Sequence, residues 1–313
     1  MRILRHAVPG GPSTAIAIGS FDGVHLGHAT ILANVMDESR RRALEPAVLT
    51  FEPLPREFFA PESAPPRLTT LAERLEEIGR PNRSTNATRV PRRFGRRFAS
   101  ISPEAFCVRL RECYGARWVM VGPDFRFGAG RGGDTSLLQT MGPRLGYEVA
   151  VVPPVMAGDT PVSSTRVRDA LARADFPQAA SLLGRPYTIT GRVMHGAKRG
   201  RALGFPTANV RLARRKPPLT GIFAVKCYGA ATRGLEGVAS LGLNPAVSTQ
   251  GRATLEAFLF DFSGDLYGSR LTIEFLKKLR DEAPFASLDE LAAQIRRDCD
   301  DAREFFRAMP QGA

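Results

Sequence analysis

The chain has little of what would place it outside ordinary cellular chemistry. Its 313 residues include only four cysteines, Cys107, Cys113, Cys227 and Cys299, scattered and without a CxxC pair. That excludes a disulfide-stapled scaffold and a cysteine metal knuckle, and reads as small buried thiols in a reducing compartment. No stretch approaches the roughly 18 uninterrupted apolar residues of a membrane span, so no transmembrane helix is expected. The opening Met1-Arg-Ile-Leu-Arg-His6 has no apolar leader, which predicts a cytoplasmic location. Lysine is scarce as well: of 44 basic residues, 5 are lysine and 39 arginine. A net charge of +13 invites a nucleic-acid reading. Residues 80–97, however, hold seven arginines and no acid, and supply +7 of that total. The excess over the rest of the chain is mild, and clefts for anionic nucleotides account for it. Neither a nucleic-acid nor a membrane partner is expected.

Histidine is also sparse, yet two of the four fall within one turn. In Ala15-Ile-Ala-Ile-Gly-Ser-Phe-Asp-Gly-Val-His-Leu-Gly-His-Ala29, an apolar run ends at Gly19 and a glycine-bearing turn follows. His25-Leu-Gly-His28 then opens a helical stripe of Ile31, Leu32, Val35 and Met36. A strand, a tight turn and a helix N-terminus suit a phosphate chain, because free backbone N–H groups and the positive end of the helix dipole face the anion. His25 and His28, three apart, share a helix face. Gly27 between them leaves no side chain to hold a triphosphate off the backbone. Two imidazoles so placed donate hydrogen bonds to phosphate oxygens as charge builds at the reacting phosphorus. A zinc pair is the weaker reading, since no other Cys or His lies close by and two ligands are too few.

The first 150 residues alternate strands (Ala15–Ile18, Ala47–Phe51, Trp118–Gly122, Glu148–Val152) with helices (His28–Arg42, Leu71–Ile78, Pro103–Cys113, Thr135–Leu145). Such alternation predicts a parallel, doubly wound α/β sheet, whose ligands gather beyond the carboxyl ends of the strands. Two helices follow, Ser163–Arg173 and Phe176–Leu183. Short strands without intervening helices come next: Thr188–Met194, Ala208–Leu212, Ile222–Tyr228, Gly237–Leu241, Thr254–Phe260 and Leu271–Phe275. They predict a small antiparallel barrel or sandwich, closed by a helix over Leu288–Phe306. The boundary is expected near Gly184–Pro186, dividing the chain into domains 1–184 and 185–313.

Other segments carry chemistry. Val121-Gly-Pro-Asp-Phe-Arg-Phe-Gly-Ala-Gly-Arg-Gly-Gly-Asp134 is a glycine-rich loop in which Phe125 and Phe127 could clamp a flat ring, or an ordinary surface loop. Val162-Ser-Ser-Thr-Arg-Val-Arg168 starts a helix with Ser163 or Ser164 as cap; the hydroxyls and Arg168 would grip phosphates. Gly191–Asn209 is rich in glycine and basic residues, and its Thr207 and Asn209 place two hard oxygen ligands on one side of a strand. Glu256 shares a strand face with Phe258 and Phe260, where a carboxylate can serve as a general base or simply sit at a sheet margin.

Taken in order, five segments resemble the bacterial bifunctional riboflavin kinase/FMN adenylyltransferases. They are Gly19-Ser-Phe-Asp-Gly-Val-His-Leu-Gly-His28, Val121-Gly-Pro-Asp-Phe-Arg-Phe-Gly128, Ser163-Ser-Thr-Arg-Val-Arg168, Gly204-Phe-Pro-Thr-Ala-Asn209 and Asp261-Phe-Ser-Gly-Asp-Leu-Tyr-Gly268. The resemblance implies a Rossmann-like nucleotidyltransferase domain, then a flavokinase β-barrel with a C-terminal helix. It implies ATP as co-substrate, Mg²⁺, and riboflavin, FMN and FAD as substrates or products. It matches Glu256 to the kinase base, and Thr207 and Asn209 to the Mg²⁺- and phosphate-binding positions. His25 and His28 match the phosphate-stabilising pair of the adenylyltransferase. Gly19, Phe21, Asp22, Gly23, Gly27, Ser163, Ser164, Thr165, Arg168, Gly196 and Gly204 fall in nucleotide-binding segments, and Asp124 and Phe127 in the flavin loop.

The chain departs from that family at three places. Leu54 stands where histidine is usual, and Ala246 where threonine is common. Arg80-Pro-Asn-Arg-Ser-Thr-Asn-Ala-Thr-Arg-Val-Pro-Arg-Arg93 replaces an apolar strand, as a locally shifted reading frame would. Prolines and arginines do not fill an interior strand, so a lost or frayed strand and a weakened adenylyltransferase are expected here. Two alternatives follow: a kinase with an impaired second half, and a non-catalytic flavin- or RNA-binding regulator.

Overall fold

A computed structural model describes residue 3 and residues 10–80, 87–196, 204–214, 216–229, 232–243 and 253–310. Its first part alternates strand and helix: β1 (Thr14–Ile18), α1 (Leu26–Arg41), β2 (Glu45–Glu52), α2 (Pro55–Phe59), α3 (Leu71–Ile78), β3 (Thr88–Arg93), α4 (Arg96–Ala99), α5 (Pro103–Tyr114), β4 (Ala116–Val121), α6 (Thr135–Leu145) and β5 (Glu148–Val151). The strands form one sheet in the order β3-β2-β1-β4-β5, every neighbouring pair parallel. Central β1 is buried along its whole length, as helices on both faces require. On one face Ile16, Leu49 and Val119 meet Phe106, Leu110 and Leu138 of α5 and α6. On the other, Ala15, Ala17 and Val48 meet Ile31, Leu32 and Val35 of α1. Helix α5 shows how local signals set an element: Ser102 accepts a cap bond from the Ala105 N–H, Pro103 opens the first turn, and Gly115 ends it at φ +63°.

The expected loss of a strand over residues 80–93 is corrected by the structure. Strand β3 pairs with β2 from Ala47 opposite Thr88 to Glu52 opposite Arg93. It survives because it is the outermost strand, where a proline such as Pro91 forfeits no ladder on its open side. Val90 supplies the apolar contact to the core, at 5% exposure. Arg89 is buried against Gly79, where an added Cβ would strike its guanidinium, and burial lowers its pKa from the ordinary arginine value. Pro81–Asn86 lie outside the described residues, as do Asn244, Pro245 and Ala246.

A two-stranded ribbon, β6 (Met156–Ala157) with β7 (Thr160–Pro161), leads to α7 (Ser164–Ala172) and α8 (Phe176–Leu183). Then come β8 (Thr188–Met194), β9 (Thr207–Val210), β10 (Gly221–Gly229), β11 (Thr232–Leu243), β12 (Ala253–Leu259), β13 (Arg270–Arg280) and α9 (Leu288–Ala308). These six strands close into an antiparallel barrel, β10-β11-β12-β9-β8-β13, which decides between the barrel and the sandwich. Closure leaves no unpaired sheet edge. Helix α9 packs Cys299, Ala302 and Phe306 on Ile222, Ala224 and Phe260. Arg280 of β13 donates two hydrogen bonds, each 2.7 Å, to the carboxylate of Asp298 on α9.

By contact the chain divides into residues 1–65 with 71–164, and 66–70 with 165–313. Helix α8 joins the barrel because Phe176 lies 6.0 Å from the Phe223 ring and 6.4 Å from the Phe275 ring. Residues 66–70 join it through the Leu68 carbonyl, which accepts from Tyr187 Oη at 3.1 Å and Arg214 Nη1 at 2.8 Å.

Candidate active sites

In the sheet unit, the turn between β1 and α1 is built from unusual backbone. Phe21 (φ +50°), Gly23 (φ +84°) and Val24 (φ +43°) all lie in the left-handed region. For the two residues with side chains this costs about 1–3 kcal/mol each, strain that persists where a site needs the geometry. The surroundings hold the turn. Gly19 N–H donates to Leu49 O (3.1 Å), and Val24 N–H to Phe21 O (3.2 Å). Arg74, fully buried on α3, donates to Ser20 O (2.7 Å) and Phe51 O (2.9 Å) and pairs with Glu52 (2.8 Å). Sequence reading missed Arg74; an arginine on the buried face of an amphipathic helix was its only signal.

His25 caps α1. Its Nδ1 accepts from the His28 N–H at 3.4 Å, so that nitrogen carries no proton and Nε2 is the donor. The two imidazoles stack at 3.7 Å with planes 18° apart, and Phe21 leans on His28 at 5.1 Å. An added Cβ at Gly27 would lie 3.2 Å from His25 Cε1, so Gly27 also keeps this ring in place. Buried Asp22 is tied through its carbonyl to Ser164 Oγ, which donates at 2.9 Å. The turn, the histidines and Ser163–Ser164 therefore lie together in this unit, whereas Thr165 and Arg168 belong to the barrel unit by contact. There Arg168 Nε donates to Pro66 O at 2.6 Å.

The sheet unit also holds a cavity of about 570 Å³ lined by Phe51, Phe59, Phe94, Phe98, Phe125 and Phe127, among others. Phe127 is a wall of it; Asp124 is exposed and is not among its lining. The rings support one another edge-on, Phe94 meeting Phe51, Phe59 and Phe98 at 5.6–5.7 Å. Apart from the Phe125–Phe127 loop, sequence reading missed this cavity, because its rings come from β2, α2, α4 and the segments around them. An excess of phenylalanine, 19 against one Trp, was the only trace.

In the barrel unit the site stands on paired strands. Glu256 of β12 lies opposite Asn209 of β9, and Phe258 opposite Thr207. Thr207 Oγ1 donates to Glu256 Oε2 at 3.2 Å, holding the carboxylate. Thr207, Asn209 and Glu256 are all half-buried, on strand faces whose neighbours Ala208, Val210, Leu255 and Ala257 turn inward. An added Cβ at Gly196 would overlap the Asn209 amide, so this glycine makes room for Asn209. Gly204 takes φ +85°, where glycine alone is unstrained. His195 and Tyr267 meet at 3.9 Å beside this end of the barrel. Lys198, Arg199 and Arg201 lie outside the described residues.

A family model described as FAD synthetase matches residues 10–166, and one described as riboflavin kinase matches residues 183–306. The bifunctional riboflavin kinase/FMN adenylyltransferase of Escherichia coli K12 is 44% identical over 292 residues, covering 93% of this chain and 92% of its own. That of Pseudomonas fluorescens is 45% identical over 288 residues, covering 91% of both. A solved structure titled as a macrolide-efflux protein from Streptococcus pneumoniae superposes with a TM-score of 0.76 at 29% identity, over 98% of this chain and 99% of that one. Among the described residues here, no helix is long and apolar enough to cross a membrane.

Proposed function

The chain belongs to the bifunctional riboflavin kinase/FMN adenylyltransferase family, and from that premise we propose that it makes FAD in two ATP-dependent steps. The barrel unit phosphorylates riboflavin to FMN. The sheet unit then joins FMN to the adenylyl group of a second ATP and releases pyrophosphate. We place the boundary between the activities at residue 184 and the enzyme in the cytoplasm, where ATP is available and its four free cysteines stay reduced.

In the kinase step Glu256 takes the proton of the riboflavin 5′-hydroxyl as the hydroxyl oxygen attacks the γ-phosphorus of ATP, whose bond to the β,γ-bridging oxygen breaks to release ADP. Thr207, by donating to Glu256, orients that carboxylate. The Thr207 hydroxyl and the Asn209 amide oxygen are hard donors on one strand face, a set that fits Mg²⁺, which takes few protein oxygens and completes its shell with water and phosphate. Bound there, the ion would offset charge on the transferring phosphates. Gly196 and Gly204 present no side chain to a nucleotide there.

In the adenylyl step a phosphate oxygen of FMN attacks the α-phosphorus of ATP. His25 Nε2–H and His28 donate to the phosphate oxygens, beside the backbone N–H groups of the Gly19–Gly27 turn and the α1 N-terminus. Ser163 and Ser164 add hydroxyls from the start of α7. The aromatic cavity, with Phe127 in its wall, suits the flat isoalloxazine ring. The observation carrying the reading is the meeting of Thr207, Asn209 and Glu256 across β9 and β12.

Two other readings are not favoured. A kinase with a silenced second half required a missing strand, and β3 is in place. A non-catalytic regulator has no use for a proton-accepting carboxylate beside two oxygen donors. Incubation with riboflavin, ATP and Mg²⁺, followed by chromatographic separation of flavins, tests the proposal. FMN followed by FAD is expected; FMN alone would remove the second activity, and no product would remove both.

A further inference from the structure

Elsewhere in the sheet unit several arginines pair with carboxylates. Arg40 meets Asp37, Arg41 and Arg42 meet Glu38, Arg42 also reaches Glu148, and Arg126 meets Asp134. At the outer edge of the sheet this stops. Arg92 and Arg93 of β3, Arg96 and Arg97 of α4, and Arg109 of α5 line one concavity of about 580 Å³, with Gly95, Phe98 and Ile101. No acid is among its lining residues, and none of the five guanidinium groups forms an ion pair with a described residue. The Nε of half-buried Arg92 is closed off from solvent without a hydrogen-bond partner among the described residues. Arg92 and Arg109 also both bear on the phenol of half-buried Tyr114, whose pKa desolvation raises against their pull. Five like charges held around one hollow repel one another unless an anion joins them.

We propose that this concavity binds a condensed phosphate, such as pyrophosphate, tripolyphosphate or the phosphate tail of a nucleotide. Guanidinium forks match phosphate oxygens two at a time, and one carboxylate or orthophosphate would engage only one or two of the five. The hollow offers no platform for a base. Arg92 covers one side of Phe98 at 5.6 Å, and Phe51, Phe94 and Phe106 surround its ring at 5.7, 5.6 and 6.2 Å. Single-stranded nucleic acid needs exposed aromatic faces and a long basic track. Here α5 carries exposed Glu104 and Glu112 on either side of Arg109 in sequence, so the basic surface does not continue along it. The concavity shares Phe98 and Ile101 with the aromatic cavity but takes none of its lining from the Gly19–His28 turn, and the proposal does not depend on the two-step reading.

The test is calorimetric titration of the full chain with tripolyphosphate, comparing wild type with R96E/R97E, a pair of exposed side chains. Wild type is expected to bind one more equivalent than the variant, because any ATP pockets are the same in both. Affinity at the extra site should be at least tenfold higher for tripolyphosphate than for orthophosphate. R109Q should weaken it several-fold, and R96Q/R97Q stands in if the charge reversal disturbs folding by circular dichroism. A non-hydrolysable ATP analogue that shows the same one-equivalent difference identifies nucleotide tails as ligands; no difference restricts the site to inorganic chains. Equal stoichiometry and affinity in wild type and variants overturns the proposal. So does equal binding of orthophosphate, or a single-stranded oligonucleotide that binds the same arginines more tightly than tripolyphosphate.

Discussion

The sheet unit and the barrel unit place their chemistry on opposite kinds of backbone. In the sheet unit the candidate groups sit in a connection, the left-handed turn from Phe21 to Val24 and the first turn of α1. Strands supply a platform there and no reacting side chain. In the barrel unit the reacting side chains are on strands, with Glu256 set opposite Asn209 by the β9–β12 register. A connection tolerates change in its platform, which is why an edge strand rich in arginine and proline leaves the histidine turn intact. A site on paired strands tolerates no slip, since moving the register by one residue turns every side chain to the other face.

The largest effect should come from separating the two halves. Glu256→Gln should lower FMN formation from riboflavin by about 10²–10⁴-fold, the range for a general base, while leaving FAD formation from supplied FMN unchanged. His28→Ala should do the reverse, with adenylation down about 10²–10³-fold as for loss of one transition-state donor. Separate assays of the two half-reactions check both. Loss of both activities in either variant would break the division of labour.

A smaller effect should distinguish strand from connection. Gly196→Ala drives a methyl into the Asn209 amide and should lower kinase kcat about 10–100-fold, as a displacement near 1 Å does. Gly27→Ala brings a methyl to 3.2 Å from His25 and should lower adenylation only a few-fold, because a ring at a helix cap can shift. Steady-state kinetics of the two half-reactions measure this, and a more severe loss in Gly27→Ala would reverse the comparison.

The smallest effect concerns thiols. Burial pushes the Cys227 thiol up to about 12 and that of Cys299 up to about 11, and raises Cys107 as well. Only the thiolate reacts, so at pH 8 a raised pKa keeps these groups protonated, and reactivity would grow only as pH climbs towards those values. A disulfide reagent at pH 8 should therefore label half-buried Cys113 first. Increasing denaturant should then release Cys107 with the sheet unit and Cys227 and Cys299 with the barrel. Fast native labelling of Cys227 or Cys299 would mean that the barrel opens more readily than its packing implies.

Much of this was legible in the chain. Leu71–Ile78, Thr135–Leu145, Phe176–Leu183 and Thr188–Met194 appear with the bounds that periodicity assigns them. Short elements without a full period, α2, α4 and the β6–β7 ribbon, were not foreseen, and β3 was judged on composition without knowing that it lies at an edge. The histidine turn was readable because its residues are neighbours in sequence. The aromatic cavity and the contacts of Arg74 were not, because each joins separate elements, and of the arginine hollow only the run from Arg92 to Arg97 was visible, without Arg109 of α5.

By itself, then, the order of residues determined most of the longer strands and helices, and which local runs carry phosphate chemistry, because periodic patterns and neighbouring motif residues are written within a short stretch of chain. The tertiary structure alone decided that six strands close into a barrel, that Glu256 faces Asn209, that an unpromising strand survives at a sheet edge, and that five arginines share one hollow. Those outcomes rest on pairing and packing between residues far apart along the chain, for which no local pattern is a guide.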